Sequence, residues 1–174
     1  ALDGKPAADV YNEWTHGLLN DVPEGGSVLM QSTVNPLGRL VSETEGCSEY
    51  LLSHPAALSP QRGLQLFTEV CEGERLHLMR GNLDSLISRA GRVVETAKQL
   101  LPDKHAPTGA LIVYCAGCML TVADRMPEVV SSIGSEFKQP FLGTFTFGEQ
   151  GCFLDSTNRH GNLMISAVVF GAKE

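Results

Sequence analysis

The chain has 174 residues, 43% of them hydrophobic and 19% charged, which fits a folded globular protein of one domain, or two small ones sharing an interface, and excludes a disordered or fibrous class. Its net charge of -7, from 20 acidic against 13 basic residues, comes with no run of Lys or Arg, so nucleic acid and an anionic membrane surface are not expected partners. No apolar run approaches the roughly 20 residues of a membrane helix, and no charged-then-apolar leader opens the chain. It starts Ala1-Leu2-Asp3 and reads as a piece of something larger. Five cysteines, irregularly spaced apart from 115 and 118, suit a reducing compartment, and a cytoplasmic location is expected.

In chain order, residues 6–19 carry Val10, Trp14 and Leu18 at helical spacing, with Pro6 acceptable in a first turn. Val28-Leu29-Met30 suggests a short strand, and Asn35-Pro36-Leu37-Gly38 a turn. From 49 to 81 the pattern changes to period two, with candidate strands EYLLS, RGLQLFTEV and RLHLMRG forming an antiparallel meander with one wet face. Leu83, Leu86, Ile87, Ala90, Val94, Ala97 and Leu101 then make one apolar helical stripe, which Asn82 or Asp84 can cap and Pro102 closes. Residues 103–108 read as a loop, 110–114 as a strand, and Val129, Val130, Ile133 and Phe137 as a helix starting near Asp124, because Pro127 belongs in a first turn. The strands PFLGTFTF (140–147) and NLMISAVVF (162–170) finish the chain; the second, apolar on both faces, reads as central and doubly covered. The expected fold class is α+β, a largely antiparallel sheet flanked by helices in a single compact domain, with a subdivision falling, if anywhere, near 102–108.

Three groups of residues could carry chemistry. Cys115-Ala116-Gly117-Cys118 ends an apolar strand. As a redox dithiol the pair needs a helix N-terminus at the first sulfur, yet the helix expected from Asp124 leaves 119–123 between. As half of a zinc site it lacks a second close pair, and no metal site is expected. Small residues in a tight turn are the simpler reading. The second group is the segment 148–161, GEQGCFLDSTNRHG, which joins two consecutive strands expected to pair and is long for a hairpin loop. Gly148 and Gly151 permit close ligand approach, Glu149 offers a carboxylate for an ammonium or guanidinium group, and His160, Asn158 and Asn162 add polar groups. Of the five histidines, only His160 lies near other candidates.

Five segments of the chain, in order, carry a family resemblance. They are Asp3-Gly4-Lys5-Pro6-Ala7, CEGERLHLM (71–79), GALIVYCAGC (109–118), PFLGTFTFGEQG (140–151) and His160-Gly161-Asn162. Together they resemble the C-terminal region of FIST domains, named for F-box and intracellular signal transduction proteins. The segment from Gly143 to Glu149 carries the most weight. The resemblance implies a sensory input module for a small ligand such as an amino acid, coupled to an output signalling domain or partner protein and completed by an N-terminal FIST half. Haem enters only through this resemblance, since some FIST proteins bind it, and no cofactor is otherwise expected. Two departures stand out: the family often has Arg after Cys-x-Gly, where this chain has Cys118, and its usual His-Asn is here His160-Gly161-Asn162.

With the sensory role that the resemblance implies, the expected ligand-binding site is Cys115, Gly117, Cys118, Gly148, Glu149, Gly151, His160 and Asn162. The Cys turn faces the 148–151 segment across a pocket, Glu149 is the main anchor, and His160 and Asn162 stand at the rim. No nucleophile, base and orienting group can be assembled from these residues, so an enzyme is not expected. Two other classes stay open: a thiol-redox protein using Cys115 and Cys118, and a docking module that binds no small ligand.

Overall fold

A computed structural model of the chain describes residues 1–44, 46–153 and 155–173. These residues form two compact units, Ala1–Gly81 and Asn82–Glu174. The fold class is α+β with largely antiparallel pairing, as the sequence pattern predicts. Among the described residues no helix is long and apolar enough to cross a membrane.

The first unit opens with α1 (Ala7–Trp14), preceded by Pro6 and carrying Asp9 in its first turn. Ala8 and Tyr11 are fully buried on its inner face. The helix stops earlier than its spacing suggests. Thr15 turns its hydroxyl back on the Tyr11 carbonyl at 2.8 Å, and His16 and Gly17 adopt left-handed angles. The Asn12 side chain then accepts from the Leu19 N–H at 2.7 Å, which turns Leu19 into the core.

Residues 28–30, expected as a strand, lie instead at the start of a short helix, α2 (Leu29–Ser32). Val28 still donates to the Ala56 carbonyl, but Ser32 then bonds both the Val28 carbonyl and, through its hydroxyl, Pro55 at 2.8 Å. Two strands lie where none was expected. β1 (Leu37–Thr44) begins inside the Asn-Pro-Leu-Gly signal and pairs antiparallel with β2 (Cys47–Ser53). β3 (Pro55–Ser59) pairs with β4 (Gly63–Leu66), a strand much shorter than the run RGLQLFTEV suggests. β5 (His77–Leu78) completes the sheet in the order β2-β1-β5. The core here is Ala8, Tyr11, Leu19, Val28, Leu37 and Leu58.

The second unit starts with α3 (Leu83–Gln99), the element read most directly from its apolar stripe. Asn82 caps it, accepting from the Ser85 N–H at 2.8 Å, and Ile87, Ala90, Gly91 and Val94 are buried. β6 (His105–Cys115) absorbs most of the expected 103–108 loop, because residues 105–107 pair with the end of β10 (Ile165–Lys173) across a bulge. α4 (Ala116–Thr121) follows β6 without a break, and a 3-10 turn at Ala123–Arg125 leads into α5 (Met126–Glu136), with Pro127 in its first turn. The expectation of non-helical residues at 119–123 is thus corrected for most of that stretch. Gly91 lets α3 and α5 touch, since a Cβ there would overlap the Ser132 carbonyl oxygen.

β7 (Phe141–Thr146) runs parallel to β6, as a strand reached through the α4–α5 crossover can. The sheet order is β10-β6-β7, which corrects two sequence expectations. The strand after 162 lies at an edge, with Val168 and Phe170 half exposed, because apolar alternation does not encode strand order. The segment 148–161 does not join paired neighbours; it spans from one side of β6 to the other and carries its own hairpin, β8 (Glu149–Cys152) and β9 (Asn158–Gly161).

Candidate functional site

Three chain segments meet where β6 ends. β6 and β7 are in register so that Cys115 lies opposite Thr146, and the Cys115 N–H donates to the Met164 carbonyl at 3.1 Å. Glu149, three residues beyond Thr146, opens β8 and turns back into the same space. Its carboxylate is 1% exposed. It accepts from the Thr146 hydroxyl at 2.9 Å, from the Met164 N–H and from the Cys115 thiol. Among the described residues no Lys or Arg pairs with it. Burial, outweighing these hydrogen bonds and the influence of His160, pushes its pKa above the ordinary carboxylate value.

The two thiols continue the network. Cys115 occupies the position before α4 and Cys118 lies in its first turn; both are buried and neither is in a disulfide. Their sulfurs are hydrogen-bonded to one another. That bond, with the N–H groups of Cys118 and Gly117, holds the Cys115 pKa below the usual thiol range against burial and the Glu149 charge. The same bond, reinforced by burial, pushes Cys118 up. Cys118 is therefore the donor and Cys115 the acceptor, and Cys115 in turn donates to Glu149. A short proton chain runs from α4 to β8.

The site residues read from the sequence fall into two groups. Cys115, Gly117, Cys118 and Glu149 converge. They meet by direct contact, the Cys115 thiol donating to Glu149 and its sulfur hydrogen-bonded to Cys118 and to the Gly117 N–H. Gly148, Gly151, His160 and Asn162 belong to the hairpin and its exit. The His160 ring lies over Gly148, where a Cβ would sit 3.5 Å from Nε2, and His160 itself is exposed. Gly151 is required by close packing, since a Cβ would lie 2.8 Å from the Ser166 hydroxyl and 3.2 Å from the Met164 methyl. Glu149 pairs with Gly161, which sets the buried Asn162 one residue from the carboxylate's strand partner.

Three contributors escaped the sequence reading. Thr146 lies inside the quoted 140–151 segment, but its role depends on the β6–β7 register. The Met164 N–H carries no side-chain signal at all. Arg89 looks like the polar side of an amphipathic helix; its guanidinium lowers the pKa of Cys118 and Tyr114 and reaches the Leu163 carbonyl at 3.4 Å. The second unit thus has a positive charge near Cys118, supplied from α3 and not from the position after Gly117. Among the described residues, no three His, Cys, Asp or Glu converge as a metal-holding group.

Comparison with known proteins adds one finding. The family model described as the FIST C domain matches residues 7–152, most of the chain. No curated protein and no solved structure matches it.

Proposed function

Because the chain belongs to the FIST C domain family, whose members are sensory domains of signal transduction proteins, we propose that it senses a small molecule carrying an amine or guanidinium group, and that Glu149 is the anchor for that group. One observation carries the reading: a residue only 1% exposed whose carboxylate, among the described residues, is paired with no Lys or Arg. A buried charge costs several kcal/mol unless it is paired, and a fold retains such a group most readily where a ligand completes it. An arriving cation would replace the Cys115 thiol as the partner of Glu149 and bring the carboxylate's pKa back down.

Entry requires the β8–β9 hairpin to lift, because Glu149 opens it and Gly151 packs it tightly on Ser166. Ligand binding would then stabilise a displaced hairpin, a population shift that an output domain or a partner protein reads. His160, exposed beside Gly148, and Asn162 would line the entrance. The reading includes no catalytic step and no cofactor.

The test is thermal unfolding of the chain against amino acids, simple amines and haem. A ligand at about 100 times its Kd stabilises by roughly 2.7 kcal/mol, several degrees for a chain of this size. The expected result is a shift with amine-bearing ligands that disappears in Glu149→Ala. An equal shift in that variant removes Glu149 from the site, and a shift with haem alone removes the amine.

A second reading has its own support in the contact between the Cys115 and Cys118 sulfurs. On it, the pair is a redox dithiol: an external two-electron oxidant would join the two sulfurs as a disulfide, taking up two electrons and two protons, and Cys115 would then no longer donate to Glu149. Repeating the melt with and without reductant separates the two: a large reductant effect, with no ligand effect, favours the thiols.

A further inference from the structure

β7 is hydrogen-bonded on one side only. In its parallel ladder with β6 the Ala110 N–H donates to the Pro140 carbonyl, and the register from Phe141 to Thr146 is unbroken, so Leu142, Thr144 and Thr146 bond towards β6 as well. The backbone N–H and C=O groups of Phe141, Gly143 and Phe145 therefore point away from the sheet. β7 ends the strand order β10-β6-β7, and among the described residues no hydrogen bond reaches those groups. The strand is correspondingly open. Leu142 is 69% and Phe145 46% exposed, and a Cβ on Gly143 would meet no atom within 4 Å.

Folded proteins commonly blunt their sheet edges with charge, proline or a bulge. β10, the opposite edge, has a bulge between Phe170 and Gly171 and ends at Lys173. β7 has neither device: Phe141–Thr146 contains no charged residue, and its register with β6 shows no shift. What an open backbone edge accepts is another extended strand, whose own N–H and C=O groups complete it.

We propose that the β7 edge pairs with the β7 edge of a second copy of this chain, antiparallel about a two-fold axis at Gly143, to make one continuous sheet. The residue pattern selects that partner. Gly143 faces the partner's Gly143 and Phe141 faces the partner's Phe145, so a single register satisfies every free backbone group on both edges. A slip of two residues would set Phe141 or Phe145 opposite a residue outside β7. The side chains agree. Phe141 and Phe145 leave the same face of the strand, so each aromatic pair flanks the two glycines, and Leu142 meets the partner's Thr144. A chain of net charge -7 meets its copy here without opposing two charges.

The test is sedimentation equilibrium of the chain from low-micromolar to near-millimolar concentration, where a reversible dimer is expected. Gly143→Lys and Gly143→Asp are the variants. Gly143 is not among the glycines with positive φ and has room for a Cβ, so the monomer keeps its fold, which the thermal midpoint checks. Each variant sets two like charges face to face at the axis and should weaken the dimer by about tenfold or more. An equimolar mixture of the two opposes Lys to Asp and should restore pairing. A parent chain that stays monomeric throughout the range would overturn the proposal, whatever other strand the edge accepts. A dimer that neither variant weakens would overturn it too, since that dimer forms elsewhere, and so would a mixture that fails to pair.

Discussion

His54 in the first unit and Glu149 in the second are both buried ionisable side chains, and the same cause displaces them in opposite directions. His54 is 3% exposed and Glu149 1%. Burial holds the His54 pKa below its ordinary 6.5 and raises that of Glu149 above its ordinary 4.5, since each fold disfavours the charged form. Their surroundings differ. The His54 ring donates from Nε2 to the Leu29 carbonyl at 3.0 Å, a neutral bond that ties β3's approach to α2. Tyr11 does the same for α1, its hydroxyl donating to the Asn35 carbonyl at 2.7 Å. In the first unit, then, buried polar groups lock the backbone. In the second, the buried carboxylate meets other titratable groups, two thiols, and among the described residues no Lys or Arg pairs with it. Burial alone therefore does not set Glu149 apart from His54; its place beside two titratable thiols does.

The strongest test of this contrast is truncation of the locking residue. His54→Ala removes a buried ring and leaves the Leu29 carbonyl without its partner, so a loss of about 2–4 kcal/mol is expected in urea unfolding. Glu149→Gln keeps volume and removes only the charge, and its loss at neutral pH should be clearly smaller. If the two lose equally, Glu149 is as much a structural group as His54. Tyr11→Phe comes next. Deleting one hydroxyl from a buried bond should cost about 1 kcal/mol, measured the same way.

The smallest effect is the most specific, and it lies in pH dependence. His54 has a lowered folded pKa, so below pH 6.5 the unfolded chain takes up the proton first and stability is lost on acidification. Glu149 has a raised folded pKa, so above pH 4.5 the unfolded chain releases its proton first and stability is lost as pH rises towards the folded value. In the parent the two slopes oppose one another. Glu149→Gln should flatten the decline above 4.5 and leave the His54 slope below 6.5 intact. An unchanged profile in that variant would mean that the carboxylate is solvated.

Much of this was legible in the residues themselves. The stripe from Leu83 onward sets α3, and Asn82 sets its start, because helix periodicity and capping are local. The apolar run of 110–114 gives β6, and the segments quoted from 109 to 162 carry the family. Glu149 and the two cysteines could be named as partners from those segments. What misled was equally physical. Pro36 and Gly38 signal a turn, yet β1 begins there, since pairing with β2 and β5 outweighs local preference. Pro127 suggested that no helix touches Cys115, although α4 is a separate helix ended by its own turn before that proline.

By itself the sequence determined which residue types are available: an α+β pattern, a C-x-x-C after an apolar strand, a carboxylate between glycines, and no concentrated positive charge. These follow from side-chain chemistry and short-range periodicity. Only the tertiary structure decided that β6 lies between β7 and β10, that Cys115 therefore stands opposite Thr146, and that Glu149 is hydrogen-bonded to the Cys115 thiol. Arg89 and the Met164 N–H joined the site for the same reason. Strand order and register are set by pairings between residues far apart in the chain, and no local pattern contains them.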